Sequence, residues 1–240
     1  MINDILDMAR LEAGRLEASP TRFHIGAIID AQIDMARPLV DKKNIDLICQ
    51  LEPDLPPMFQ DESRIGQILN NLLSNAIKFT PEGGKITVSV RRRSESPDPS
   101  RPVLPVNRSG ASDPTPPSAT RSEILRESFL EIRVADTGVG IAAEDQSVIF
   151  EKFRQAGGHG DATMTREHSG SGLGLSIVKE LCRLLEGEIF VESRLGFGSV
   201  FTVILPWEFQ SPVVSESPIL SELREFSQSR AGRKPAHEEQ

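Results

Sequence analysis

The sequence predicts a domain of mixed α and β structure, and three observations predict it. An apolar stripe at steps of three and four residues runs through Ile65, Ile68, Leu69, Leu72, Leu73 and Ala76, which reads as one face of a helix. Short apolar or alternating runs at 44–51, 85–91, 129–135, 188–192 and 200–205 read as strands. Glycine-rich turns punctuate them at Pro81-Glu-Gly83-Gly84, Asp136-Thr-Gly138-Val-Gly140 and Gly196-Phe-Gly198.

In chain order, residues 1–17 carry a helical stripe of Ile2, Ile5, Leu6, Ala9, Ala13 and Leu16 that ends at Ser19-Pro20. One such helix cannot bury its stripe alone, so it needs the body of this chain, a second copy or a further segment. Phe23 begins a short extended piece, and a helix follows over about 26–39, interrupted by Pro38. The next strand points Ile45, Leu47, Cys49 and Leu51 inward. Pro53, Pro56 and Pro57 form a rigid turn, and Asp61 or Ser63 caps the helix behind it. Residues 94–128 are rich in proline and serine and poor in large apolar groups, which predicts a disordered insert. The strands on either side of it are natural partners, so the insert enlarges a hairpin loop. A short helix is expected at about 144–153, a lid-like polar loop at 154–169, and a helix from the glycines at 170–174 to about Leu185, stopped by Gly187. Pro206 ends the last strand, and 211–240 reads as a mobile tail.

Composition narrows the function. The net charge of −8 offers no basic surface for nucleic acid. No apolar run reaches the roughly 20 residues that span a bilayer, and the start at Met1-Ile-Asn-Asp lacks the regions of a signal peptide, so a cytoplasmic location is expected. Cys49 and Cys182 sit among apolar neighbours and read as core thiols. His24, His159, His168 and His237 have no metal spacing.

The candidate chemistry lies on the central helix. Asn71, Asn75 and Lys78 follow at steps of four and three and share one polar strip. Asparagine is a mediocre helix former, so two inside an apolar helix suggest a task. A carboxamide oxygen is a neutral hard ligand suited to Mg²⁺, and a lysine adds a point charge for a phosphate oxygen. Asp136 ends a buried-looking strand before a glycine turn, where its carboxylate needs a donor; an adenine amino group is one, and its own loop is another. Gly138 and Gly140 let a flat ring approach the backbone. Gly170-Ser-Gly172-Leu173-Gly174-Leu175 opens a helix whose first N–H groups favour phosphate. No Gly-x-x-x-x-Gly-Lys occurs, which excludes a P-loop. Phe150 and Phe153 either pin the near end of the lid or pack in the core.

Taken in order, the Asn71/Asn75/Lys78 helix, Asp136-x-Gly-x-Gly140, Phe150-x-x-Phe153, Gly170-x-Gly-Leu-Gly174 and Gly196-x-Gly198 resemble the N, G1, F, G2 and G3 boxes of the catalytic, ATP-binding domain of two-component sensor histidine kinases. The resemblance covers about 20–206 apart from the insert. It implies a Bergerat-type two-layer α/β sandwich: a mixed, mostly antiparallel sheet with helices on one face. It implies ATP with Mg²⁺, with Asn75 as metal ligand, Asn71 and Lys78 beside the metal and phosphates as the catalytic pair, and Asp136 accepting from adenine. Gly138, Gly140, Phe153, Gly170, Gly172, Leu173, Gly174 and Leu175 complete the implied nucleotide site. ATP-hydrolysing relatives such as DNA gyrase and mismatch-repair proteins place a glutamate base at the position of Asn71. An amide is a far poorer base, so this site is expected to hold ATP for transfer to a side chain.

Residues 1–18 resemble the end of the family's dimerisation and phosphoacceptor hairpin, leaving 19–208 as the catalytic domain and 209–240 as a tail. None of the four histidines has the setting of a phosphoacceptor. The implied partners are therefore a phosphoacceptor histidine domain, in trans or on a further segment, and a response-regulator receiver domain; the resemblance also allows a homodimer. Two rivals are a nucleotide-responsive interaction module without turnover and a serine kinase of the anti-sigma type.

Overall fold

The computed structural model describes residue 9 and residues 16–94, 128–152 and 172–210. The chain opens with β1 (Thr21–Phe23), α1 (Ile25–Lys42), β2 (Asp46–Leu51), β3 (Met58–Gln60) and α2 (Glu62–Phe79). It continues through β4 (Lys85–Arg93), β5 (Phe129–Asp136), α3 (Gly174–Leu184), β6 (Glu188–Arg194) and β7 (Gly198–Pro206). The five long strands form one sheet in the order β2-β4-β5-β7-β6, and β1 pairs with β3 in a two-stranded ribbon. Only β2 and β4 run parallel; the crossover between them carries α2, as a parallel pair requires. The remaining pairs are antiparallel, and β4 meets β5 from Ile86↔Asp136 to Arg93↔Phe129, the pairing expected around the insert.

Alternation in the strands places the core. Ile86, Val88 and Val90 of β4, Leu130, Ile132 and Val134 of β5, and Phe201, Val203 and Leu205 of β7 share one buried face. Against it lie the apolar stripes of α1 (Ile25, Ile29, Ile33, Ala36, Val40), α2 (Ile65, Leu69, Leu72, Leu73, Ala76) and α3 (Ile177, Val178, Leu181). This is the expected mixed, mostly antiparallel sheet with helices on one face. On the other face the buried Glu131 carboxylate bridges Arg91 at 2.6 Å and Arg93 at 3.0 Å, which supplies the partners a buried charge requires.

Four expectations need correction. Pro38 does not interrupt α1, which runs on to Lys42. Ala36 and Val40 on either side of it are buried, and their burial outweighs the one backbone bond the proline removes. Residues 144–152 form successive hydrogen-bonded turns, Val148 N–H to Asp145 at 3.0 Å and Glu151 N–H to Val148 at 2.9 Å, and no α-helix. The segment is held instead by buried Ile149 and by Gln146, whose Nε2 donates to Ile141 O at 3.1 Å and Ser193 O at 2.8 Å. Cys182 is buried, and that burial pushes its thiol up, but Cys49 is exposed. Its strand is the sheet edge, and Leu51, expected inward on the same strand, is also exposed. Finally, β3 follows the proline turn, where no strand was expected.

The expected helix at 1–17, the insert, the lid loop and the tail lie largely or wholly outside the described residues; Ala9 is helical and exposed. Among the described residues no helix is long and apolar enough to cross a membrane.

Asp61 fixes where α2 starts. One carboxylate oxygen accepts the Arg64 N–H at 3.0 Å and the other accepts the Ser19 N–H at 2.8 Å. Asp61→Ala is expected to cost about 1–2 kcal/mol, since it removes a helix cap and leaves the Ser19 donor without this partner. Urea denaturation checks this; an unchanged midpoint would contradict the cap's role.

Candidate functional site

α2 is the element on which the site converges. Its apolar stripe is buried to the last turn, which leaves Asn71, Asn75 and Lys78 half-buried along one edge. The Asn71 Nδ2 donates to Gln67 O one turn back at 2.9 Å, so its Oδ1 turns outward. It faces the start of α3: a Cβ added at Gly174 would stand 3.1 Å from Asn71 Oδ1 and 3.9 Å from Asn75 Nδ2. A side chain at 174 would press on the Asn71 carboxamide where the two elements meet.

The start of α3 has no side-chain cap and no acidic residue in its first turn. Its first N–H groups and the positive end of its dipole thus lie next to two carboxamides. Gly172 just before it has φ +66°, a backbone that side chains resist. Leu173 is buried, so it could meet a ligand only through its backbone, whereas Leu175 packs against the core and stays partly exposed.

The opposite end of α2 meets the turn after β5. Val139 N–H donates to Phe79 O at 3.3 Å, and a Cβ at Gly138 would stand 2.5 Å from that same carbonyl. Gly140 has φ +68°, and a Cβ there would strike Arg194 O. Asp136 leads into this turn, and its Oδ1 accepts the Gly138 N–H at 2.8 Å, the loop-capping bond. Burial pushes the Asp136 carboxyl up, while bonds from the Gly138 and Ser199 N–H groups pull it down. A carboxylate has about four lone-pair sites, so this one has room for a further donor.

Burial lowers the Lys78 ammonium, which lies 4.9 Å from the centre of the Phe79 ring. Asn71, Asn75, Lys78, Asp136, Gly138 and Gly174 are thus gathered around one helix. Phe153 and Gly170 fall outside the described residues. Phe150 meets Phe201 edge-on at 6.5 Å and packs against the core.

Three neighbours escape a reading of the sequence. Phe79 is 42 % exposed at the end of α2 beside Gly138. Thr137 Oγ1 accepts the Lys85 N–H at 2.9 Å and so fixes the turn after Asp136. Lys43 reaches the end of α2 from α1. Phe79 had a faint signal as an aromatic directly after Lys78; the other two had none. A groove of about 440 Å³ between α1 and α2 includes Gln67 and Asn70 but neither Asn75 nor Asp136.

Among the described residues no group of three or more His, Cys, Asp or Glu side chains could hold a metal ion. The donor set that fits Mg²⁺ is the carboxamide pair, whose neutral oxygens suit a hard cation that keeps waters and shares phosphates. Gly174 keeps the backbone that opens α3 directly beside that pair.

Comparison with known proteins agrees with this geometry. Residues 60–208 match the family described as histidine kinase-, DNA gyrase B-, and HSP90-like ATPase. The autoinducer 2 sensor kinase/phosphatase LuxQ of Vibrio cholerae is 35% identical over 209 residues, 87% of this chain and 20% of that protein. The sensor histidine kinase RcsC of Escherichia coli is 34% identical over 207 residues, 86% of this chain and 18% of that protein. The chain thus spans a fifth or less of these relatives' length. Among solved structures, full-length ShkA in complex with AMPPNP superposes with a TM-score of 0.63 at 27% identity, over 91% of this chain and 37% of that one. The catalytic domain of histidine kinase ThkA shares the fold, with a TM-score of 0.54 at 23% identity over 80% of this chain and 99% of that one. The chain belongs to the histidine kinase-, DNA gyrase B-, and HSP90-like ATPase family, and the relatives it matches there are histidine kinases.

Proposed function

We propose that this chain is the catalytic part of a cytoplasmic histidine protein kinase, holding Mg-ATP and passing its γ-phosphoryl to a histidine in two-component signalling. The observation that carries the reading is the meeting of two glycine elements on one helix: Gly174 at Asn71 and Asn75, and Gly138 at Phe79. The likeness to ShkA, solved with AMPPNP, supports it.

In this reading Asp136 accepts from the adenine amino group, and Gly138 and Gly140 give the ring its approach to the backbone. The N–H groups that open α3 meet the phosphates with Gly172, and Lys78 adds charge there. Asn75 would hold Mg²⁺, with Asn71 beside it. Bound Mg²⁺ supplies charge neutralisation on the phosphates. Asn71 has no basic oxygen with which to activate water, so the site orients ATP for transfer and does not drive hydrolysis. The nucleophile is an imidazole nitrogen on a partner domain. Of the four histidines only His24 is described; it is exposed and sits at the N-cap of α1.

The test supplies that partner. The chain is incubated with Mg²⁺, γ-labelled ATP and a separate phosphoacceptor hairpin. Acid-labile label on the hairpin is the expected result. Acid-stable label would favour a serine kinase, binding without transfer would favour an interaction module, and no binding would remove the reading altogether.

A further inference from the structure

A helix end leaves its last carbonyls without intrahelical partners. At the end of α2 they are satisfied in an unusual way. Ala76 O takes the Thr80 N–H at 2.9 Å, and Phe79 O takes the Val139 N–H at 3.3 Å. The others converge on one ammonium from a different helix. Lys43 Nζ donates to Ile77 O at 2.7 Å, Lys78 O at 3.2 Å and Thr80 O at 2.7 Å. A positive charge there also meets the negative end of the helix dipole.

Lys43 is itself held in place. Its N–H donates to Val40 O at 3.2 Å at the end of α1, and its carbonyl accepts the Gly83 N–H at 3.0 Å. The next residue, Asn44, donates to Glu82 Oε1 at 2.9 Å. Lys43 therefore joins three pieces: its ammonium holds the last turn of α2 to the end of α1, and its backbone carbonyl, with Asn44, holds the Pro81–Gly84 turn.

That last turn bears Lys78 and Phe79, and the Phe79 carbonyl anchors the turn after Asp136. Asn71 and Asn75 lie further back, where buried Leu72, Leu73 and Ala76 fix the helix independently. We propose that Lys43 is a positioning residue for the nucleotide: it touches none of it, but clamps the final turn of α2 so that Lys78 and the Gly138 turn keep their places. This rests on the reading of the site as an ATP site.

Lys43→Met keeps the apolar stem and removes the three donors. The affinity for Mg-ATP is expected to fall about 10-fold, the equivalent of one charge-assisted bond's worth of order in the site. Amide hydrogen exchange is expected to quicken at Thr80 and Val139 and to stay unchanged at Ile132 and Val134 in β5. Lys43→Arg retains donors and should restore affinity to within about threefold. Unchanged affinity, or exchange that quickens uniformly through the sheet, would overturn the proposal. If the unaltered chain fails to bind Mg-ATP, the ATP reading fails, and the exchange pattern still decides whether the clamp exists.

Discussion

Asp136→Asn is expected to lower the affinity for Mg-ATP about 100-fold while leaving the fold intact. The carboxylate already accepts from the Gly138 and Ser199 N–H groups. An asparagine can satisfy the Gly138 donor only by presenting its oxygen there, which turns its NH₂ toward the adenine amino group. A donor then faces a donor, and a charge-assisted bond is lost. Such a bond is worth about 2–3 kcal/mol, and each 1.4 kcal/mol is about tenfold in affinity. Calorimetric titration measures it, and affinity within threefold of the unaltered chain would remove Asp136 from the adenine site.

The same residue carries a pH prediction with two opposite signs. Burial raises the Asp136 carboxyl above its ordinary value of 3.8. In the proposed site nucleotide binding requires the carboxylate, so affinity is expected above the raised value and is lost as pH falls through it. Folding stability runs the other way. The folded state holds the proton more tightly, so this residue's contribution is full below the unfolded value and is lost as pH rises through the folded one. Comparing the unaltered chain with Asp136→Asn at each pH cancels the titration of the phosphates.

What the sequence discloses is what local spacing encodes. Asn71, Asn75 and Lys78 share a strip because of helical period, and Asp136 ends a strand because alternation stops at glycines. Their convergence follows once α2 lies across the sheet. Lys43 was illegible because its acceptors lie 34, 35 and 37 residues away, brought near only by the packing of α1 on α2. Pro38 and Cys49 fail for related reasons. Tertiary burial overrode a helix breaker in one, and in the other the alternation lies on an edge strand, whose outer side no strand pairs with among the described residues. The ribbon of β1 and β3 was hidden because three-residue strands carry too little pattern, and their register is set across the chain.

Gly196 and Gly198 make the contrast sharpest, because the sequence presents them as an equivalent pair. Both have left-handed backbones, φ +81° and φ +103°. Around Gly196 there is nothing within 4 Å of an added Cβ, so Gly196→Ala should lose only the backbone preference, about 1 kcal/mol. At Gly198 that atom would stand 1.9 Å from Asp136 O and 2.9 Å from Thr137 Cα, and neither belongs to a side chain that could swing aside. The strand must move, and with it the register of β7 against Asp136. Gly198→Ala is therefore expected to cost more than about 3 kcal/mol, backbone strain and overpacking together. Nucleotide affinity should fall with it, because the displaced backbone is that of Asp136, the residue proposed to accept from adenine. Denaturation and titration of both variants test this. Equal stability losses would mean that the close approach of β7 to Asp136 does not govern the site, and a Gly198→Ala chain that folds and binds ATP as before would show that the strand end can yield without disturbing the carboxylate.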